Sequence, residues 1–147
     1  MRRILLATDG KPASARAEAY AIHLAAESGA PLVAMYVVES DLMHYGMVDQ
    51  LATETDKAAF LAHVQREGER ECSEKLSGFG ARARARGITP ETLVRWGVPL
   101  KEMVRAANDV AADVLVVGGV SWGVSWASPW VSSSLERKSP CSVRILS

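Results

Sequence analysis

The sequence predicts a doubly wound α/β protein with a five-stranded parallel sheet and helices on both faces. Two observations support this fold class. Five short apolar runs, each bounded by glycine, proline or polar residues, have the length of buried strands. The segments between them repeat their apolar residues every three to four positions, as amphipathic helices do. Strands that alternate with helices along a chain form a parallel sheet with right-handed crossovers.

The elements follow from these patterns in order. Strands are predicted at 2–8, 31–39, 92–96, 113–119 and 141–146. Helices are predicted between the first two strands up to Gly29, over about 55–86, from Pro99 onward and from Pro129 onward. Ser128 and Pro129 have the pattern of an N-cap followed by proline at the first helical position. Gly78 and Gly80 are expected to break the long helix late. Residues 40–54 have no clean period, and we predict a loop or a short covering segment there.

Composition limits the classes of protein that fit. A chain of 147 residues that is 48% hydrophobic and 23% charged suits one compact domain with a full core. Seventeen basic residues balance seventeen acidic ones, so we expect neither a nucleic-acid partner nor an anionic membrane surface. The apolar runs are too short for a signal-peptide core or a membrane span. The expected location is therefore the cytoplasm, without membrane insertion.

Candidate chemistry lies where the strands end, because open parallel sheets bind ligands beyond the carboxyl ends of their strands. Asp9 follows the first strand and could hold a ribose or a metal on a phosphate, or serve only as a turn or cap residue. Gly118 and Gly119 end the fourth strand, where they allow either close phosphate approach or a simple turn. The sequence lacks GxxxxGK[ST], GxGxxG and the clustered aspartates of a response-regulator receiver.

The histidines and cysteines predict no metal site. His23 and His63 lie on predicted helices beside the apolar faces, and we expect them at the solvent edge. His44 lies in the irregular segment and is more open to a functional role. Cys72 belongs to a helical core face, and Cys141 has no partner at CxxC spacing, so neither a zinc site nor a disulfide is indicated.

Three segments resemble the universal stress protein family over essentially the whole chain. RRILLATDGKPASARAEAYAIHLA resembles the family's opening, in which a strand ends in Asp-Gly and a serine lies a few residues on. VRWGVPLKEMVRAANDVAADVLVVGG resembles the segment with a Gly-x-Pro turn, a helix, Ala-Asp and a strand ending in glycine. SPCSVRIL resembles the closing strand. In this order and spacing, the segments identify residues 1–147 as a single universal stress protein domain.

The resemblance implies further properties. It implies the strand order 3-2-1-4-5, and a homodimer formed by antiparallel pairing of the last strands, here Ser142, Val143, Arg144, Ile145 and Leu146. Many family members bind ATP through Gly-x2-Gly-x9-Gly-(Ser/Thr) after the fourth strand. They also hold ribose and adenine with the first-strand aspartate and a valine that ends the second strand. By position, the resemblance implies a nucleotide site containing Asp9, Val37, Val38, Gly118, Gly119, Gly123 and Ser132.

The loop after the fourth strand departs from this ATP motif. Counted from Gly118, the second glycine of the motif falls at Ser121 and the third at Val131. Counted back from the closing strand, the third glycine falls near Pro129, which has no N–H for a phosphate. Gly123, Ser132 and the free N–H groups of the helix start leave only a makeshift anion site. We therefore expect no cofactor in the family's usual mode, with ATP and Mg²⁺ as the alternative.

The same loop contains three tryptophans, Trp122, Trp126 and Trp130, at intervals of four residues. Gly123 and Pro129 argue against one continuous helix there. Three interpretations remain open: the indoles cover the sheet end or fill the space of a nucleotide, they anchor a protein partner, or they stack on a flat ligand.

The predicted function follows from these alternatives. The first hypothesis is a universal stress protein that acts in stress adaptation by binding and regulation, not by catalysis, without ATP in the usual mode. The second is an adenine-nucleotide-binding protein with weak hydrolysis or self-phosphorylation that uses Asp9 and Ser132. The third is a small-molecule carrier lined by residues 40–54 and the tryptophans.

Overall fold

The computed structural model describes residues 3–39 and 53–147. In chain order its elements are β1 Ile4–Ala7, α1 Ala15–Ser28, β2 Leu32–Val38, α2 Glu54–Ala85, β3 Glu91–Trp96, α3 Pro99–Asp109, β4 Val114–Gly118, β5 Val120–Ser121, β6 Val124–Ser125, α4 Pro129–Lys138 and β7 Ser142–Leu146. A single 3-10 turn at Pro12–Ser14 precedes α1. Among the described residues, no helix is both long and apolar enough to cross a membrane.

The predicted fold class is confirmed. Five strands form a parallel sheet in the order β3-β2-β1-β4-β7, and β7 is the fifth strand of the prediction. In the register of the central strands, Ile4 lies opposite Leu32 on one side and Val114 on the other. Strand order reverses at β1, so the switch point lies between β1 and β4.

Helices cover both faces of the sheet. One core cluster joins the sheet to α1 and α2, with Ala21, Leu76 and Phe79 among its buried side chains. The other joins the opposite face to α3 and α4 through Met103 and Leu135. Because β1, β2 and β4 are buried on both faces, they are nearly continuous apolar runs, as parallel sheets require.

The prediction that Gly78 and Gly80 break the long helix was wrong, because α2 continues to Ala85. A glycine inside a helix costs about 0.5–1 kcal/mol relative to alanine. Burial of a side chain such as Phe79, which lies between the two glycines and is 2% exposed, contributes about 1.5–3 kcal/mol. Packing of the helix on the sheet therefore outweighs the local preference.

The helix starts agree with the sequence pattern. Pro99 and Pro129 are the first residues of α3 and α4, and Ser128 is the N-cap residue of α4, although its side chain makes no capping hydrogen bond. Gly29 closes α1 with a φ of 73°. Of the predicted irregular segment 40–54, residues 40–52, including His44, lie outside the described residues.

The predicted tryptophan loop is a β-hairpin. β5 and β6 pair antiparallel, with Val120 opposite Ser125 and Ser121 opposite Val124. These two strands were not predicted from the sequence, since each has only two residues and neither shows a period. The hairpin lies directly after β4 and therefore at the switch point of the sheet.

Candidate functional site

Asp9 is the centre of the candidate site. Its side chain follows β1 and is buried, with 4% of the residue exposed. One carboxylate oxygen, Oδ1, accepts hydrogen bonds from the Lys11 amide and the Ser14 hydroxyl, each at 3.0 Å. The other, Oδ2, accepts from the Trp122 amide at 3.0 Å. Both oxygens of the carboxylate are thus engaged by the chain itself.

The hairpin turn brings Trp122 to this carboxylate. Trp122 and Gly123 form the two-residue turn between β5 and β6, with φ values of 52° and 71°. Two positive φ angles are what a type I′ hairpin turn requires, and Asn-Gly is its usual sequence. A left-handed conformation in a residue with a Cβ costs about 1–2 kcal/mol. The hydrogen bond to Asp9 helps to hold the tryptophan in this strained position.

The Trp122 indole lies at the end of β2. Its Nε1 donates a hydrogen bond to the main-chain carbonyl of Val37 at 2.8 Å. Its ring lies 6.3 Å from the Tyr36 ring, with an interplanar angle of 54°. The indole is half-buried and packs against both core clusters. One residue therefore contacts both Asp9 and Val37, two of the positions predicted to hold a nucleotide.

The other two tryptophans of the segment have different environments. Trp126 is 1% exposed, and its amide donates to the Gly119 carbonyl at 2.8 Å. The Trp126 indole N–H donates to the Ser121 carbonyl at 3.1 Å. Trp130, in the first turn of α4, is 89% exposed. The three tryptophans share a spacing of four residues, but Trp122 lies in the cleft, Trp126 in the core and Trp130 on the surface.

The glycines that end β4 pack against the chain itself. A Cβ on Gly118 would lie 3.2 Å from Cα of Ser14, and one on Gly119 would lie 3.0 Å from Cα of Ser147. Gly123, in contrast, has open space around it. The Ser132 hydroxyl lies 3.4 Å from the Pro129 carbonyl, within α4. Close packing of the fold is therefore sufficient to explain glycine at 118 and 119.

A cleft of about 290 Å³ remains beside the indole. Its lining residues are Asp9, Lys11, Tyr36, Val37, Val38, Glu39, Glu71, Lys75 and Trp122. The structure thus brings Asp9, Val37 and Val38 together as predicted by position. Within residues 3–39 and 53–147, this lining does not include the predicted glycines or Ser132. Gly118 ends β4 and Gly119 directly follows it, Gly123 lies in the turn of the β5–β6 hairpin, and Ser132 lies in α4.

Several lining residues of the cleft were not predicted from the sequence. Glu71 and Lys75 belong to α2. Their spacing of four residues places them on one face of the helix, but this spacing does not show that the face meets β2. Tyr36 lies within the apolar run of the second predicted strand, so the sequence pattern did not distinguish it from the core residues around it. Burial raises the pKa of the Tyr36 hydroxyl well above its usual value of 10, and the Glu71 carboxylate beside it raises that pKa further.

A second polar network lies beneath the loop that carries Asp9. The Thr8 hydroxyl accepts from the Gly10 amide at 3.1 Å and donates to Oε2 of Glu18 at 2.8 Å. Arg82 of α2 donates to Oε1 of Glu18 at 2.5 Å. Glu18 is 3% exposed. The network joins β1, α1 and α2 and thereby fixes the backbone just before the cleft.

Burial raises the pKa of Glu18 above its usual 4.5, opposed by the bonds from Thr8 and Arg82 and reinforced by the nearby Asp9 carboxylate. A carboxyl whose pKa is higher in the folded state contributes most to stability below pH 4.5, and the contribution is lost as the pH rises through the folded pKa. Glu18→Gln cannot titrate. We expect the free energy of unfolding of Glu18→Gln, relative to wild type, to increase from pH 4.5 upward. Urea denaturation at several pH values tests this, and the opposite trend would show that the Arg82 ion pair outweighs burial.

The described residues contain no group of three or more histidine, cysteine, aspartate and glutamate side chains that could hold a metal ion. His23 and His63 are exposed on their helices, as predicted. Cys72 is buried in the core, and burial raises the pKa of its thiol. Cys141 is half-buried and, like Cys72, forms no disulfide.

The strand order and the cleft beyond the switch point define a doubly wound α/β protein of the kind that binds ligands at the carboxyl ends of its strands. The sequence model of the universal stress protein family matches residues 1–146. The chain belongs to this family, and the resemblance drawn from its three segments is confirmed.

Individual relatives match this chain over nearly its full length. Universal stress protein YxiE of Bacillus subtilis is 26% identical over 146 residues, which cover 98% of this chain and 97% of YxiE. A crystal structure of a universal stress protein in complex with cAMP is 24% identical, with a TM-score of 0.66 and coverage of 99% and 96%. The universal stress protein of Archaeoglobus fulgidus in complex with dAMP is 18% identical, with a TM-score of 0.66 and coverage of 100% and 98%.

Proposed function

We propose that this chain is a cytoplasmic universal stress protein that acts by binding and regulation, not by catalysis, and that it does not hold a nucleotide in the family's usual mode. One observation carries the proposal. Trp122 donates its main-chain N–H to Asp9 and its indole N–H to the Val37 carbonyl. The two groups predicted to hold ribose and adenine are thus both occupied by one side chain and its backbone.

The phosphate end of the predicted site supports the same proposal. Pro129 is the first residue of α4 and has no N–H, so the positive end of this helix presents fewer donors than usual. Trp130 follows it directly. Gly123 serves the hairpin turn, and Gly118 and Gly119 pack against Ser14 and Ser147. No glycine of this loop is left to surround a phosphate within the described part of the chain.

A second candidate function is the binding of an adenine nucleotide with Mg²⁺, with weak hydrolysis or self-phosphorylation. Two observations favour it: Asp9, Val37 and Val38 line one cleft, and two of the compared relatives were solved in complex with cAMP and with dAMP, respectively. It requires the Trp122 ring to leave the cleft, because the ring and an adenine held by Val37 would need the same carbonyl.

A simple experiment separates the two candidates. The purified protein is denatured, the supernatant is assayed for released nucleotide, and the native protein is titrated with ATP and Mg²⁺ by calorimetry. We expect less than about one tenth of an equivalent of nucleotide per protein chain and no saturable heat of binding. Stoichiometric nucleotide, or saturable binding that Asp9→Ala abolishes, would refute the first proposal and establish the nucleotide binding that the second requires.

Two surfaces fit a protein that acts through partners. β7 is an edge strand of the sheet, so the backbone of Ser142–Leu146 is available for the antiparallel pairing proposed for the homodimer. Trp130 presents a nearly fully exposed indole, and tryptophan is enriched in binding hot spots. We propose β7 as the dimer strand and Trp130 as the contact for a protein partner.

A further inference from the structure

We propose that two copies of this chain, paired through β7, form a binding site for a multivalent oxyanion such as phosphate, held between the Arg144 side chains of the two copies. Neither copy contains the site alone, because each contributes one guanidinium group. This inference rests on the homodimer named in the proposed function, whose strand register and interface ligand it specifies.

The main-chain groups of β7 point alternately toward β4 and away from the sheet. β7 is an edge strand that pairs with β4. The Leu146 carbonyl accepts from the amide of Gly119, which directly follows β4, at 2.8 Å. Leu146 therefore points inward. Because successive residues of a strand direct their N–H and C=O groups to opposite sides, those of Val143 and Ile145 point outward and are available to a second strand.

The next outward-pointing residues at the two ends of β7, Cys141 and Ser147, are already bonded within the chain. The Ser139 hydroxyl donates to the Cys141 carbonyl at 2.9 Å and accepts from the Cys141 amide at 3.3 Å. Arg16 donates to the main-chain oxygen of Ser147 at 2.6 Å. A second β7 strand therefore pairs most readily with the two residues between these ends, Val143 and Ile145.

Two-fold symmetry then fixes the register of the two strands. Residues directly opposite each other in an antiparallel pair lie on the same face, so around the two-fold axis one residue lies opposite its own counterpart. A register centred on Val143 would pair Ile145 with Cys141, and one centred on Ile145 would pair Val143 with Ser147. Only the register centred on Arg144 pairs Val143 with Ile145. The two Arg144 residues then form a pair without hydrogen bonds, with Cα atoms about 4.5 Å apart.

The Arg144 side chain lies on the face of the sheet that α1 covers. Its neighbours Val143 and Ile145 pack against the core cluster of the other face. Leu146 packs against the cluster that includes α1. Side chains alternate between the faces along a strand, so Arg144 lies on the α1 side, where it is exposed. The two guanidinium groups of the dimer therefore meet at a solvent-accessible surface.

The surface around this pair is basic. Arg16 and His23 are exposed on α1, which contacts β7. The first acidic residue of α1, Glu18, is 3% exposed, and the next, Glu27, lies in the last turn of the helix. Within residues 3–39 and 53–147, no carboxylate forms a salt bridge with Arg144 or Arg16. The charge of the Arg144 pair is thus left for a ligand to balance.

An oxyanion changes the sign of this interaction. Like charges directly opposite each other on two antiparallel strands oppose the pairing. An anion between the two Arg144 groups accepts charge-assisted hydrogen bonds from both, and the guanidinium group matches phosphate with parallel N–H···O bonds. Because the complete site exists in the dimer and not in the monomer, the anion shifts the equilibrium toward the dimer.

Analytical ultracentrifugation tests the ligand. The dissociation constant of the dimer is measured in phosphate and in chloride buffers of equal pH and equal ionic strength. We expect this constant to be lower by about tenfold in phosphate. Arg144→Gln removes the charge of an exposed side chain and should lose the difference between the buffers. Arg137→Gln, at an exposed arginine of α4, is the matched control and should retain it.

A cross-link tests the register independently. With Arg144 opposite itself, residue 147 of one copy lies opposite Cys141 of the other. Opposite residues of antiparallel strands have Cα atoms about 4.5–5.5 Å apart, within the range that a disulfide spans. We expect Ser147→Cys to form a covalent dimer when it is oxidised with diamide. The double variant Ser147→Cys/Cys141→Ser is the control and should form none.

Equal dissociation constants in the two buffers overturn the anion site and leave the homodimer intact. A phosphate effect that persists in Arg144→Gln also overturns the site, since phosphate then acts through general exclusion from the protein surface. Absence of a covalent dimer in Ser147→Cys, or its formation without Cys141, overturns the register and the site with it. A monomer in both buffers refutes the proposed homodimer and the anion site together.

Discussion

Replacement of Trp126 by alanine is expected to lower the free energy of unfolding by about 3–5 kcal/mol, the range found when a buried tryptophan is truncated. Trp126 is 1% exposed and belongs to the core cluster that includes Met103 and Leu135. The substitution also removes the indole N–H from the Ser121 carbonyl. Urea denaturation followed by far-ultraviolet circular dichroism measures the loss.

Trp130→Ala is the matched control for this experiment. It removes the same side chain from a position that is 89% exposed, so we expect a change within about 0.5 kcal/mol. Each variant removes eight carbon atoms and one nitrogen, at sites four residues apart. The two sites differ in the burial of the side chain and in the indole hydrogen bond that Trp126 donates to Ser121. A loss of less than about 1 kcal/mol for Trp126→Ala would contradict the buried position, since core truncations of this size cost more.

Replacement of Asp9 by alanine is the second large effect, with an expected loss of about 3 kcal/mol. It removes three hydrogen bonds to a buried carboxylate, of which the one from Ser14 is fully buried and the other two are partly buried. The three donors are the Lys11 amide, the Ser14 hydroxyl and the Trp122 amide. The last of these also holds the strained turn. We therefore expect the hairpin amides to exchange faster in Asp9→Ala than in wild type, measured by hydrogen exchange.

Asp9→Asn distinguishes the contributions of the two carboxylate oxygens of Asp9. The amide oxygen can still accept from Lys11 and Ser14, while the amide nitrogen meets the N–H of Trp122 and cannot accept from it. We expect a smaller loss of stability, about 1–2 kcal/mol, with faster exchange confined to the hairpin. Equal losses for the two variants would show that the Trp122 contact contributes most of the stabilisation by Asp9.

The candidate site was predicted in part. Asp9, Val37 and Val38 were placed at strand ends by the apolar pattern and by family resemblance, and the parallel sheet brings them into one cleft. The pattern could not show what fills that cleft. Trp122 bonds to residues 113 and 85 positions away along the chain, and no local periodicity encodes such pairs. The same limit hid Glu71 and Lys75 of α2.

The sequence by itself determined the five strands of the parallel sheet, the helix starts and the family of this protein, because periodicity, proline positions and strand-end glycines are local signals. Only the tertiary structure decided the roles of the tryptophans. Trp122, Trp126 and Trp130 share one spacing, but positive φ angles at residues 122 and 123 turn the chain into a hairpin. The Asp9 carboxylate, distant along the chain, holds this turn. With the chain folded in this way, the Trp122 indole lies in the cleft, the Trp126 indole in the core and the Trp130 indole on the surface.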